Sequence, residues 1–170
     1  MENNKFISIK GLAHGSKRLL LLKTIMWLGL IGTFVPKLIR FNGLFSFSTL
    51  VIIIPLIVIG GLSLYTSYKD YVVFNKNGII IDIENDKFIY PIKTTLWNLN
   101  QKNIREISLH SIFAISAKDN VVRKSDGKVR YYYNITIQSN EVDYPIGYSF
   151  YSSGNRDRLY SILKSVNGLD

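Results

Sequence analysis

The chain has no cysteine and only two histidines, His14 and His110, which lie far apart. Without cysteine there is no disulfide framework, no thiolate nucleophile and no sulfur-ligated zinc. The histidines lack the spacing that sets two imidazoles on one helix face. No glycine-rich phosphate loop and no nucleophile elbow is present. Acid is scarce as well, with 12 Asp and Glu against 21 Lys and Arg, and Glu2 is the only acid before Asp70. These gaps point away from an enzyme. The expectation is a protein with no catalytic residue, no cofactor and no metal ligand set.

Long apolar runs are what the chain does have. Residues 44–65 carry no charge and centre on Leu50, Val51, Ile52, Ile53 and Ile54. At 1.5 Å per residue this run spans a hydrocarbon core of about 30 Å. Pro55 is tolerated in a membrane helix as a kink, and Gly60 and Gly61 let a neighbouring helix approach. Residues 19–35 form a shorter run holding one charge, Lys23, close enough to the helix start to snorkel. A signal peptide is the competing reading, but no small-residue cleavage site follows and a second span comes soon after. The expected organisation is a basic N-terminus over 1–18, two membrane helices over 19–66 and a soluble domain over 67–170.

Charge sets the expected orientation. Lys5, Lys10, Lys17 and Arg18 precede the first helix and Lys69 and Lys76 follow the second, while Lys37 and Arg40 lie between. Positive residues favour the cytoplasmic side, so both termini are expected in the cytoplasm of a cell bounded by an inner membrane. Residues 36–43, with Pro36, Asn42 and Gly43, read as a tight external turn. Residues 1–45 carry seven basic residues and one acid, a net +6; residues 67–170 carry fourteen and eleven, a net +3. The basic balance is therefore chiefly a membrane signal. The partner it implies is the lipid bilayer, and nucleic acid is not expected.

The last hundred or so residues read as strands closed by a helix. Tyr71 to Phe74 reads as a short apolar strand, with a turn at Asn75-Lys76-Asn77-Gly78 and a strand over 79–83. A turn at Glu84-Asn85-Asp86 leads into 87–91. A connector holds Trp97, and 104–109 is the next strand. Residues 112–123 and 130–138 flank Asp126-Gly127, a hairpin signal. In the return strand Tyr131, Tyr133, Ile135 and Ile137 alternate with polar positions, the period of a half-buried strand. A seventh strand spans 142–150. Then Leu159, Ile162, Leu163 and Val166 fall at i, i+3, i+4 and i+7, a helix stripe with Ser152 and Ser153 at its start and Gly168 at its stop.

Seven strands and a C-terminal helix, with Trp97 followed at a distance by Ile104 and Ile107, resemble the bacterial pleckstrin-homology-like (PH-like) domains that follow one or two membrane helices. The sequence departs from them in placing Leu99 and Asn100 where Asp-Ile is more usual, and in the extra length of 100–103. The expected fold class is thus α+β: an N-terminal transmembrane helical hairpin, then a seven-stranded antiparallel PH-like β-barrel with a C-terminal capping helix. The resemblance implies a non-enzymatic module anchored in the inner membrane, binding a protein partner or self-associating as a homo-oligomer. An alternative is a small membrane-bound immunity or antitoxin protein that neutralises one toxin.

Four basic residues around the later turn, Arg123, Lys124, Lys128 and Arg130, form the candidate contact for an anionic surface. Solvated hairpin charges that discourage edge pairing give the plainer account. Asp82, Glu84 and Asp86 alternate but lack the glycine and terminal Glu of a calcium loop. Tyr131, Tyr132 and Tyr133 suggest a stacking platform, but alternation turns two of them inward.

Overall fold

The computed structural model describes residues 6–42, 46–123 and 127–169. Two long helices dominate the first half, α1 (Lys17–Asn42) and α2 (Phe47–Tyr71). Both are long and apolar enough to cross a membrane, and their side chains are mostly turned outward. Leu21, Ile25 and Leu28 of α1 and Val51, Ile54 and Ile57 of α2 are more than half exposed. The two helices run antiparallel, as two cross-contacts show. Lys23 Nζ donates to Ser67 Oγ at 2.7 Å, so its charge meets a polar partner. A Cβ on Gly60 would lie 2.9 Å from the Trp27 ring, so this glycine makes room for the indole; Gly61 has no such neighbour.

Of the turn expected over 36–43, the part up to Asn42 is instead helix, and Gly43 lies outside the described residues. Residues 36–42 continue α1 through Pro36. Proline removes one ladder bond, but beside apolar side chains the remaining backbone groups are best satisfied by continuing the helix. Pro55 likewise sits inside α2.

The strand expected at 71–74 is also helical. Tyr71 ends α2 and a turn of π-helix, Val72–Asn77, carries the chain out. Val73 and Phe74 are both buried, which a strand with one buried face does not allow for neighbours. The backbone N–H of Gly78 donates to Val73 O at 3.0 Å, and Gly78 takes φ +73°. A Cβ there would lie 2.3 Å from Ile9 O, so no larger residue fits.

Ile9 belongs to a strand that precedes the helices. β1 (Phe6–Ile9) pairs antiparallel with β2 (Ile79–Asp82), placing Ile7 opposite Ile81 and Ile9 opposite Ile79. β3 (Lys87–Pro91) and β4 (Ile104–Ser108) complete a four-stranded antiparallel sheet in the order β1-β2-β3-β4. A 3-10 turn, Leu109–Ser111, leads to a second sheet. It is made of β5 (Ile112–Arg123), β6 (Val129–Ser139) and β7 (Ile146–Phe150), also antiparallel. α3 (Ser153–Asn167) closes the chain. β7 starts later than expected because Pro145 has no N–H to give the ladder.

The chain is α+β with two antiparallel sheets, of four strands and three. Neither sheet closes on itself among the described residues, so the expected seven-stranded barrel is not shown. One bridge, Leu12 to Phe150, and a bond from Ala13 N to Ser149 O at 2.7 Å join the sheets along one side. The core lies between them. Ile79, Ile81 and Phe88 meet Ile135, Ile137 and Phe150, each fully buried. Leu159 and Leu163 of α3 are fully buried against this core, with Ile162 and Val166 packed beside them. Each such side chain stabilises the fold by about 1.5–3 kcal/mol. Gly168 ends α3 in the left-handed conformation (φ +60°), as the spacing foretells. Ser152 occupies the N-cap position, but its side chain makes no capping bond.

Candidate functional site

The hairpin β5–β6 outruns the rest of its sheet. β7 pairs only with the stretch from Tyr133 to Ile137, so among the described residues the outer part of the hairpin has no paired strand on either edge. Tyr131, expected to face inward, is 55 % exposed for this reason. The basic cluster lies at this outer end. Arg123 pairs with Val129, and Val122 pairs with Arg130. Residues 122 and 123 point to opposite faces, so Arg123 and Arg130 do as well. Both are exposed, as is Lys128. Lys124 lies outside the described residues. The hairpin therefore does not present Arg123 and Arg130 as a single patch.

The face that carries Arg130 also carries Val122, Asn120, Tyr132 and Asn134. These last four line one wall of an open groove of about 800 Å³. The groove passes over β7, where Ser149 Oγ donates to Asn134 Oδ1 at 2.6 Å. Its floor holds Tyr148, whose hydroxyl donates to Pro91 O at 2.6 Å. Burial pushes the Tyr148 phenol well above its ordinary pKa, so it remains a neutral donor. On the far side the groove reaches Phe74, His14 and Lys93, at the root of the two helices. Tyr144 stands at its rim, bonded to Arg105 Nη1. A cleft of this size, lined by aromatic and aliphatic groups with a few amides, suits a peptide side-chain set or a loop.

The root of the helices is tied to the sheets by polar contacts. His14 Nε2 lies 3.0 Å from Asp70 Oδ2, and its ring meets Phe74 edge-on at 4.6 Å. The other oxygen of Asp70 accepts from Thr94 N at 2.7 Å. Asn75 Nδ2 donates to the carbonyls of His14 and Gly15, at 3.0 and 2.6 Å. One small set of side chains thus joins the start of α1, the end of α2 and the segment after β3.

The alternating acids do not converge. Asp82 accepts from Asn85, through the backbone N–H at 3.2 Å and Nδ2 at 2.7 Å. These bonds hold its carboxyl below the usual range. Asp86 turns the other way, to Ser108 Oγ and to His110, whose Nδ1 lies 2.5 Å from Oδ1. Among the described residues no three His, Cys, Asp or Glu gather as a metal would need. The three tyrosines divide too: Tyr133 packs under Arg156 at 5.6 Å, Tyr132 sits 5.9 Å from Tyr151, and Tyr131 faces solvent.

Sequence reasoning located the basic hairpin and missed the groove. The groove draws on the segment before α1, the π-turn after α2, the end of β3 and three strands of the other sheet. The one signal available was the abundance of tyrosine, 11 in all, which has no positional content. No protein-family model, curated protein or solved structure matches this chain.

Proposed function

We propose that this chain is a non-enzymatic binding module anchored in a bacterial inner membrane, with both termini in the cytoplasm. It engages a protein partner, or a second copy of itself, at the membrane surface through a PH-like domain. Four strands, then three, then a closing helix is the element order of such a domain, and this supports the reading. The basic flanks of α1 and α2 support the orientation. The observation that carries the functional part is the groove. It is open, mostly apolar and aromatic, and it runs from the unpaired hairpin to the helix roots. A partner bound there sits next to the bilayer, where tethering raises its effective concentration.

A photo-crosslinking residue placed at Tyr132 of the full-length chain in cells tests this. The same residue at Ser161, on the exposed side of α3, is the control. The expected result is one discrete adduct, a fixed protein or a dimer, from position 132 alone. It should fall at least about tenfold when Val122 is changed to Asp, since a charge set against an apolar contact costs more than about 1.4 kcal/mol. Equal labelling from both positions, or labelling indifferent to Val122→Asp, contradicts the reading.

A further inference from the structure

The segment from 92 to 103, between β3 and β4, contains the most exposed aromatic among the large hydrophobic residues described. Trp97 is 95 % exposed and Leu96 is 65 % exposed. Two neighbouring apolar side chains left largely exposed at a loop tip are costly in water, at about 25 cal/mol per Å² of apolar area.

The loop is not slack. Thr95 N donates to Asn98 Oδ1 at 2.6 Å, and Asn98 Nδ2 donates back to Lys93 O at 3.0 Å. Gln101 N closes onto Asn98 O at 3.0 Å, and Ile92 N onto Asn103 O at 2.9 Å. Asn103 takes φ +54° and is fully buried, its Nδ2 donating to Thr94 Oγ1 at 2.8 Å. These bonds tie the loop to itself at Ile92, Lys93, Thr95, Asn98, Gln101 and Asn103. From α2, Lys69 Nζ donates to the carbonyls of Leu99 and Gln101, and Asp70 takes the N–H of Thr94. The end of α2 therefore fixes where the loop stands.

It stands beside the apolar part of that helix. A cleft of about 330 Å³ is lined by Leu96, Thr94 and Thr95 on one side and by Ile59, Leu62 and Thr66 of α2 on the other. Ile59 lies ten residues before Lys69, which at 1.5 Å per residue is about 15 Å along the helix. Leu96 is thus level with the last apolar turns of α2, and Tyr65 and Tyr68, about half exposed, flank the same level. Tryptophan and tyrosine at the end of an apolar helix mark the zone where head groups meet acyl chains.

We propose that this loop is a membrane-docking element whose Leu96 and Trp97 enter the interface of the leaflet next to the sheets. The 330 Å³ cleft beside them receives lipid acyl chain. This rests on α1 and α2 spanning a bilayer, and goes further by giving the sheets a second attachment that fixes their tilt. The bonds at Thr95, Asn98 and Gln101 fix the shape of the tip, and at interface depth the backbone of Leu96 and Trp97 keeps water and head groups as partners. Lys69 reaches back from the head-group level to hold the loop.

The absence of cysteine makes the test direct. Single cysteines at Trp97, Leu96, Val58 and Lys118 of the full chain are spin-labelled in vesicles of phosphatidylethanolamine and phosphatidylglycerol. Collision with oxygen and with chelated nickel is then compared. Val58 faces outward in mid-α2 and Lys118 is exposed on β5. The expected result is an oxygen-to-nickel ratio at 96 and 97 several-fold above that at 118 and on the side of 58. If 58 reads as lipid while both 96 and 97 read as water, the loop proposal is wrong and the spans stand. If 58 itself reads as water, the spanning helices are wrong and the proposal falls with them.

Discussion

Asp86 sits at φ +53° in the turn between β2 and β3 and is bonded to the start of the 3-10 turn. Ser108 Oγ, the His110 backbone N–H at 3.2 Å and the His110 ring all meet its carboxylate. The Ser108 hydroxyl is the largest influence and, with His110, holds the carboxyl below its ordinary range against the opposing effect of burial. The unfolded chain therefore takes a proton more readily than the fold does. The stability from this group is complete above about pH 5 and is lost as pH falls through the lowered value. Asp86→Ala should destabilise the full chain in detergent by about 1–2 kcal/mol, through lost hydrogen bonds and a left-handed backbone that alanine resists. Asp86→Asn keeps the backbone preference and should cost less, while flattening the acid limb of a melting-temperature profile. An unchanged acid limb in Asp86→Asn would place the sensitivity elsewhere.

At the scale of elements, the least expected feature is β1. Four residues ahead of α1 supply the edge strand to a sheet whose other strands begin after α2. Ile9 and Leu12 are buried in the core that this completes. Residues 67–170 alone should thus expose the edge of β2 and the side chains of Ile79 and Ile81. That fragment should aggregate, while the same fragment joined to residues 6–14 by a flexible linker should be soluble and melt cooperatively. A monomeric, cooperatively folded 67–170 fragment would contradict the role given to β1. The contrast with α3 shows what the sequence makes legible. The α3 stripe is a local period, with its stop at Gly168 set by backbone conformation, and both emerge as read. β1 is short, lies in a basic segment, and has its partner some seventy residues away. Residues 71–74 read as a strand because they are aromatic and β-branched. The incoming helix α2 overrides that preference and continues as a π-turn. The candidate site divides in the same way. The basic hairpin is local and visible, whereas the groove exists only once six separated segments are assembled.

At the scale of the whole molecule, the pairing of β1 with β2 constrains topology independently of charge. One strand precedes the helical hairpin and the other follows it, so both ends of the hairpin emerge on the same side. Two helices that both cross the bilayer satisfy this; one crossing helix with a cleaved or surface-bound neighbour does not. In the proposed reading the unequal basic flanks put that side in the cytoplasm. The groove and the Trp97 loop meet the same end of α2, so the proposed partner contact and the proposed lipid contact fall at one level. The most direct test of this account is labelling of single cysteines by a membrane-impermeant maleimide. Phe41→Cys stands at the exposed far end of α1 and Gln138→Cys on the exposed face of β6. In cells with a permeabilised outer boundary, the account predicts labelling of 41 from outside and of 138 only after the inner membrane is broken. Labelling of 138 from outside would contradict it.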